Sequence, residues 1–398
     1  TSARRAVEMM ASQDQKVILP GATIGILGGG QLGRMVAMAA RSFGYRIHVL
    51  DPDPSCPARF VVDACFEAAW NDARAAADLA RGCDVVTLEI EQISIAALEA
   101  AERHAPVRPG SKMMAIIQNR ILQKEWLVEH GLPVGEYRAV YDVAQLHVAV
   151  HDLGERCFVK SAHGGYDGRS QEKLGFDRKA NDSVIAAAWK SLGEQPVVVE
   201  QAIDLEMEIS IMVARSPRGE MKAYPAAVNH HERQILAWSA IPADIPPTIA
   251  TQAREIALSI AENFQLEGLL AVEMFLAKDG RLLVNELAPR PHNSYHAIER
   301  ACITSQFEQA VRAGCNLPLG DVEVVQPAAI VNLLGDVWLD ANAETGPRFD
   351  LALQVPGVRL HLYEKHLPRP GRKMGHLSAV GKTAEEAVQF VLDAKARL

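Results

Sequence analysis

The stretch LLAVEMFLAKDGRLLVNELAPRPHNS, residues 269–294, is two apolar runs joined by the polar turn KDGR. Such runs on either side of a glycine turn predict paired strands in a hairpin. Glu273 lies on the first run, and Asn285 and Glu286 close the second. Two carboxylates would then sit side by side. Hard Mg²⁺ prefers oxygen ligands and keeps its other positions for water and substrate, so the pair suits a divalent metal held against phosphate oxygens. Two carboxylates in contact repel, and one is raised in pKa unless a cation lies between them. If the side chains point to opposite faces of the sheet, no site exists. The turn that follows carries Arg290, His292 and Asn293 and is placed to receive an anion.

The 398 residues leave room for two or three domains. At 48% hydrophobic and 23% charged, the chain is ordinary for a globular protein with real cores. A net charge of −8 argues against nonspecific nucleic-acid binding but leaves room for small phosphorylated ligands. No run approaches the roughly 18–20 apolar residues of a membrane span, so neither nucleic acid nor membrane is an expected partner. The polar N-terminus lacks the apolar centre of a signal peptide and reads as a flexible extension over 1–21. Cys56, Cys65, Cys83, Cys157, Cys302 and Cys315 form no CxxC pair, as expected of free thiols in a reducing cytoplasm.

Residues 22–53, ATIGILGGGQLGRMVAMAARSFGYRIHVLDPD, predict a strand over Thr23–Leu27, a helix over 32–43 and a strand over 46–50. This is a βαβ opening. Gly28, Gly30 and Gly33 fit GxGxxG, and Asp51 follows at the distance of a ribose-binding acid. Alone, that pattern points to a dinucleotide and a nicotinamide-dependent oxidoreductase. A helix over Ala73–Arg81, a strand over 84–88 and a helix over 94–104 continue an open parallel α/β domain.

From Ile116 the texture changes. A helix with Arg120 and Lys124 leads to Gly131 and Pro133, and CFVKSA (157–162), VVVEQAI (197–203) and EISIMVA (208–214) read as strands. A helix over 248–264 precedes the hairpin. HGGYDGRSQ (163–171) follows Lys160. Its Gly164, Gly165 and Gly168 let backbone approach a ligand, while Lys160 and Arg169 supply charge for phosphate. It lacks the GK[ST] of a Walker A loop, and a polar surface hairpin is the plainer alternative. Glu200 and Gln201 could meet an adenine edge and Glu208 a ribose; an edge strand with solvated carboxylates is the competing reading. Ser305 with Glu308, and Thr383 with Glu386, form helix capping boxes. From Asp321 short strands (AAIVNLLG, GVRLHLYEK) flank a basic loop, YEKHLPRPGRKMGH (363–376). Lys365, Arg369, Arg372 and Lys373 cluster there, and Arg372 can hold a phosphate bidentately.

In this order, GGGQLGRM (28–35), VKSAHGGYDGRSQ (159–171), VEQAI (199–203), NELAPRPHNS (285–294), SQFEQ (305–309) and RPGRKMGH (369–376) resemble the ATP-grasp ligases. More narrowly, they resemble the N5-carboxyaminoimidazole ribonucleotide synthases of purine biosynthesis. The resemblance covers the chain from about residue 22. It implies a mixed α/β and α+β architecture. An N-terminal open parallel α/β (pre-ATP-grasp) domain would span 22–115, and a central ATP-grasp domain 116–320 with a lid at about 140–205. A small C-terminal domain would span 321–398. It also implies ATP as co-substrate, Mg²⁺ or Mn²⁺ as metal, bicarbonate and 5-aminoimidazole ribonucleotide as substrates, and a cytoplasmic homodimer.

Carried over residue by residue, the resemblance puts Arg120 and Lys160 on ATP phosphates. Gly165, Tyr166, Asp167, Gly168, Arg169, Ser170 and Gln171 would form the mobile phosphate loop. Glu200, Gln201, Ala202 and Ile203 would face adenine, Glu208 the ribose, and His231 would line the nucleotide site. Glu273 and Glu286 would hold the metal, with Asn285 beside them. Tyr166, Asp167, Arg169, His292, Asn293 and Ser294 would face the ribonucleotide, and Lys365, Arg372 and Lys373 its 5′-phosphate. Arg290 would lie where bicarbonate and the acyl phosphate react. The implied reaction forms carboxyphosphate from ATP and bicarbonate, then carboxylates the exocyclic amine, which Asp167 would orient or deprotonate. Sister ligases (formate-dependent glycinamide ribonucleotide transformylase, biotin carboxylase) are the nearest alternatives. Tyr295 stands where the family carries a small residue, and would either narrow the ribonucleotide pocket or pack outward.

Overall fold

The computed structural model describes residues 16–154, 156–164, 170–176, 179–342 and 345–398. Most of the expected N-terminal extension, and the loop residues Gly165, Tyr166, Asp167, Gly168 and Arg169, lie outside the described residues. Among the described residues there are three sheets. In the first, β1 (Thr23–Leu27), β2 (Arg46–Asp51), β3 (Ala64–Glu67) and β4 (Val85–Leu88) run parallel in the order β3-β2-β1-β4. Strand β1 is buried at every residue, as a parallel strand covered on both faces must be. The Gln31–Ser42 and Ala73–Arg81 helices supply cover, the second capped by Asp72.

The second sheet is antiparallel, with order β5-β8-β6-β7: β5 (Tyr137–Val140), β6 (Cys157–Ser161), β7 (Gln171–Leu174) and β8 (Val197–Gln201). The Val143–Asp152 and Asp182–Ser191 helices pack their Leu146, Val150, Ile185 and Trp189 against its Val159, Val197 and Val199.

The third sheet has nine strands: β9 (Leu205–Arg215), β10 (Met221–Ala223), β11 (Ala227–Glu232), β12 (Ile235–Ile241), β13 (Gly268–Ala277), β14 (Leu282–Ala288), β15 (Ala328–Leu334), β16 (Arg359–Leu362) and β17 (Lys373–Val380). Its path is β14-β13-β9-β11-β12-β15-β17-β16, with β10 on β9. The segment after Asp321 therefore continues the central sheet across the β12–β15 pair rather than forming a sheet of its own. That join carries the basic loop to the same molecular neighbourhood as the hairpin. Both helices are N-capped, Ser305 Oγ and Thr383 Oγ1 each accepting from the amide three residues on, but the boxes do not close: Glu308 turns to Arg312, and Glu386 accepts from the Lys382 amide. None of the described helices is long and apolar enough to cross a membrane.

Candidate active site

The hairpin forms as β13 and β14, and its register places Glu273 directly opposite Glu286. Opposed residues of an antiparallel pair share a face, so the opposite-face arrangement is excluded. An irregularity follows Glu273, where Met274 pairs with Val284 and Asn285 is left as the extra residue beside the two carboxylates. Register brings Ser210 opposite Glu273, and Glu208 opposite both Phe275 and Asn229. Glu286, Glu273, Ser210, Glu208 and Asn229 therefore lie on one polar stripe of the sheet.

The two carboxylates are not equivalent. Burial alone would raise Glu273, but the hydrogen bond from His292 Nε2 at 3.1 Å, with the positive field of His231 and Lys373, holds it at about 2. Glu286 is raised by burial and by Glu273 and Glu91, against the pull of Arg120 at 3.4 Å and of Lys160. Its side chain remains 47% exposed, on the cleft side. One carboxylate that keeps its charge, beside one that resists ionising and an amide oxygen, is a hard donor set that a divalent cation would complete. His231 follows the same field: burial lowers its pKa, but Glu208 at 2.7 Å and Glu273 reverse that, and the net direction is upward.

Next to the carboxylates stands a group of cations. Lys160 Nζ lies 2.7 Å from Glu200 Oε2 and 3.5 Å from Asn285 Oδ1. Lys124 Nζ lies 3.3 Å from Glu200 Oε1. Arg120 donates to the carbonyls of Ser161 and Gly164 and so ties the start of the glycine loop to Glu286. Glu200, whose backbone the sequence offers to an adenine edge, spends both side-chain oxygens on the two lysines. Burial would raise it, yet the lysines hold it at about 2, and burial lowers Lys124. A carboxylate depressed below its ordinary 4.5 stabilises the fold fully above that value and loses the contribution as pH falls towards 2. Glu200→Gln should therefore be less stable by about 3–5 kcal/mol at pH 7. The deficit should close as pH falls from 4.5 to 2, read from urea midpoints across that range; a pH-independent deficit would refute the pairing.

A second group of cations draws on all three parts of the chain. Arg290 Nη2 lies 2.7 Å from Glu91 Oε1, so the arginine after the hairpin is oriented from the end of β4. Lys365 Nζ donates to the Lys373 carbonyl, and Arg372 Nη1 to the Leu367 carbonyl. The loop docks on Gly335, where a Cβ would strike the Arg369 carbonyl oxygen; only glycine fits. Lys373 helps lower Glu273, and Lys365 acts on Glu89, so the basic loop reaches from the hairpin to the N-terminal glycine turn.

Three expectations need correction. Asp51 meets no ribose: it is buried and accepts from the amides of Gly29 at 2.7 Å and Asp53 at 2.9 Å. The amides of Gly30 and Gly33 are taken by Glu89, at 2.6 and 2.8 Å. The apparent dinucleotide fingerprint is thus filled by the protein's own carboxylates, and a Cβ at Gly30 would strike Glu89. Ser294 does not present its side chain to the cleft: it is fully buried, with Oγ 2.8 Å from His292 Nδ1 and 3.0 Å from Ser210 Oγ. Tyr295 neither narrows the pocket nor packs outward; it is fully buried, and its one hydroxyl proton is shared between the carbonyl oxygens of Ser210 at 2.7 Å and Pro225 at 2.9 Å. His292 and Asn293 border the Glu273 end, Asn293 with a buried side chain. Glu89 and Glu91 were missed. The available signal was LEIEQ closing β4, because ligands of parallel sheets bind outside the carboxyl ends of strands.

Glu299, His361 and His376 also gather potential metal ligands within 4.8 Å of one another. The two imidazoles stack at 5.1 Å with planes 13° apart, so their lone pairs run side by side rather than converging.

Comparison with known proteins agrees with this geometry. Family models match over residues 21–118 (ribonucleotide synthetase preATP-grasp domain), 125–307 (ATP-grasp domain) and 328–389 (phosphoribosylaminoimidazole carboxylase C-terminal domain). Fold and site thus define a three-domain ATP-grasp enzyme. N5-carboxyaminoimidazole ribonucleotide synthase of Bacillus subtilis (strain 168) is 39% identical over 95% of this chain and 96% of its own. A crystal structure of an ADP complex of N5-carboxyaminoimidazole ribonucleotide synthetase superposes with a TM-score of 0.88 at 39% identity, covering 95% of this chain and 97% of that one. The Aspergillus clavatus synthase in complex with ADP and 5-aminoimidazole ribonucleotide gives 0.85 at 30% identity, covering 95% and 99%. The chain belongs to the N5-carboxyaminoimidazole ribonucleotide synthase family.

Proposed function

We propose that the protein carboxylates 5-aminoimidazole ribonucleotide to its N5-carboxy derivative with ATP and bicarbonate, releasing ADP and phosphate. The observation that carries this is the Glu273–Glu286 pair, flanked by Lys160 and Arg120 on one side and by Arg290 and the 363–376 loop on the other. Glu273 and Glu286, with Asn285 beside them, would hold Mg²⁺ (or Mn²⁺), which supplies neutralising charge for the transferring phosphoryl group. Lys160 and Arg120 add charge on the phosphate side, where two anions must meet.

Gln201 and Ala202 already give their amides to the carbonyls of Glu136 and Arg156, which leaves the Ile203 amide for the adenine edge. Glu208, steadied by His231, would accept from the ribose. Arg290 would receive bicarbonate and then carboxyphosphate. Lys365, Arg372 and Lys373 would take the 5′-phosphate of the ribonucleotide, with His292 and Asn293 nearby. By resemblance Tyr166, Asp167 and Arg169, with Gly165, Gly168, Ser170 and Gln171, close over both substrates. Closure excludes the water that would destroy the intermediate, and Asp167 orients the amine. The resemblance also supports three segments bounded near residues 115 and 320 and a homodimer. Six free thiols fit a reducing cytoplasm.

Full-rate ADP release should require bicarbonate and 5-aminoimidazole ribonucleotide together, measured by a coupled ADP assay with each omitted in turn. Formate-dependent turnover of glycinamide ribonucleotide would overturn the assignment in favour of the sister ligase. Because Asp51 and Glu89 fill the glycine turn, no NAD binding is expected in a calorimetric titration.

A further inference from the structure

Behind His292 lies a buried chain of hydrogen bonds that runs in one direction. The Ser294 amide lies 3.4 Å from His292 Nδ1, and a backbone amide can only donate. Nδ1 is therefore an acceptor, and the proton of the neutral ring sits on Nε2, facing Glu273 Oε1 at 3.1 Å. Ser294 Oγ, 2.8 Å from the same Nδ1, gives its proton there and accepts from Ser210 Oγ at 3.0 Å. Ser210 Oγ in turn accepts from Asn229 Nδ2 at 3.1 Å. Ser239 Oγ closes the far end, 3.0 Å from Asn229 Oδ1 and 2.9 Å from the Ser294 carbonyl oxygen. Ser210, Ser239 and Ser294 are fully buried and Asn229 nearly so.

A separate clamp holds the main chain: Gln306 accepts from the His292 amide at 2.7 Å and donates to its carbonyl at 2.9 Å. Gln306 thus fixes where the residue is, while the serine chain fixes which way its ring is protonated and turned.

We propose that Ser210, backed by Asn229 and Ser239, is a positioning residue that locks the Nε2–H tautomer of His292 and so aims Glu273. This rests on the reading of Glu273 as a reaction-site carboxylate. The physical need is plain. In the other tautomer an imidazole lone pair would face a carboxylate, and the side chain would swing away. While Ser210 donates to Ser294, the Ser294 hydroxyl is committed as donor to Nδ1. Without Ser210 the hydroxyl is free to turn and accept from Nδ1–H, and the only donor still aimed at Nδ1 is the Ser294 amide at the longer 3.4 Å, so that tautomer becomes accessible. Partners of this kind, one bond removed from a working group, set ligand orientation in many sites.

The test uses the full-length enzyme with ¹⁵N-labelled histidine. Two-bond ¹H–¹⁵N correlation spectra report the tautomer, with His292→Gln identifying the relevant peaks. The wild type should show the Nε2–H pattern. Ser210→Ala should show a mixture, with kcat down about tenfold, the effect of one such hydrogen bond, and the ribonucleotide KM within twofold. Ser210→Thr, which keeps the hydroxyl, should restore both tautomer and kcat. If Ser210→Ala fails to fold, Ser210→Gly, which also removes the donor, carries the same comparison. A pure Nε2–H pattern in the Ala or Gly variant, whatever its activity, would overturn the proposal. A full rate for Glu273→Gln would instead overturn the carboxylate's assigned role while leaving the tautomer result standing.

Discussion

Glu286→Gln should leave a folded protein whose turnover falls by about 100- to 1,000-fold, the range seen when one preorganised electrostatic group is removed from a reaction site. The substitution keeps shape and volume and removes only charge. The fold should tolerate it because the Glu286 side chain is 47% exposed and its carboxylate is already disfavoured by burial and by Glu273. On the proposed reading the reaction would lose the second negative oxygen ligand for the divalent cation, and with it the anchor for Arg120, 3.4 Å away, which also holds the Gly164 carbonyl. Steady-state ADP release together with a thermal melt checks this. A near-normal rate at an unchanged melting temperature would remove Glu286 from the mechanism.

Arg372→Ala should raise the KM for the ribonucleotide by roughly 30-fold, the effect of one charge-assisted contact to phosphate, and leave the KM for ATP within twofold. The asymmetry follows from position. Arg372 sits in a loop docked at Gly335, its guanidinium steadied by the Leu367 carbonyl, with Lys373 reaching towards Glu273. The cations proposed for the ATP side, Lys160 and Arg120, and their neighbour Lys124 belong to other elements and keep their own partners, Glu200 and Glu286. Equal changes in both constants would place the loop at a different function.

Local pattern was a reliable guide where the deciding interactions are local. Strand β1, the Ala73–Arg81 helix, the Ser305 and Thr383 N-caps and the 269–294 hairpin were legible because apolar runs, turn residues and capping side chains act within a few positions of one another. The glycine turn misled for the same reason. Gly28, Gly30 and Gly33 do open a helix N-terminus to an anion, but spacing could not reveal that Glu89, distant in sequence, supplies it. The ion pairs of Glu200 were not legible, because its lysine partners come from a separate helix and strand.

By itself, then, the sequence determined the order of the elements, the two carboxylates on one hairpin and the basic loop near the C-terminus. It also carried enough specific motif to set the family. Only the tertiary structure decided that Glu273 and Glu286 share a face, that the C-terminal strands extend the central sheet, and that Ser294 and Tyr295 turn inward. The reason is physical. Periodicity records which face of an element is buried, whereas register between strands far apart in the chain, such as Ser210 against Glu273 or Trp238 against Val331, is settled only when the sheets pack.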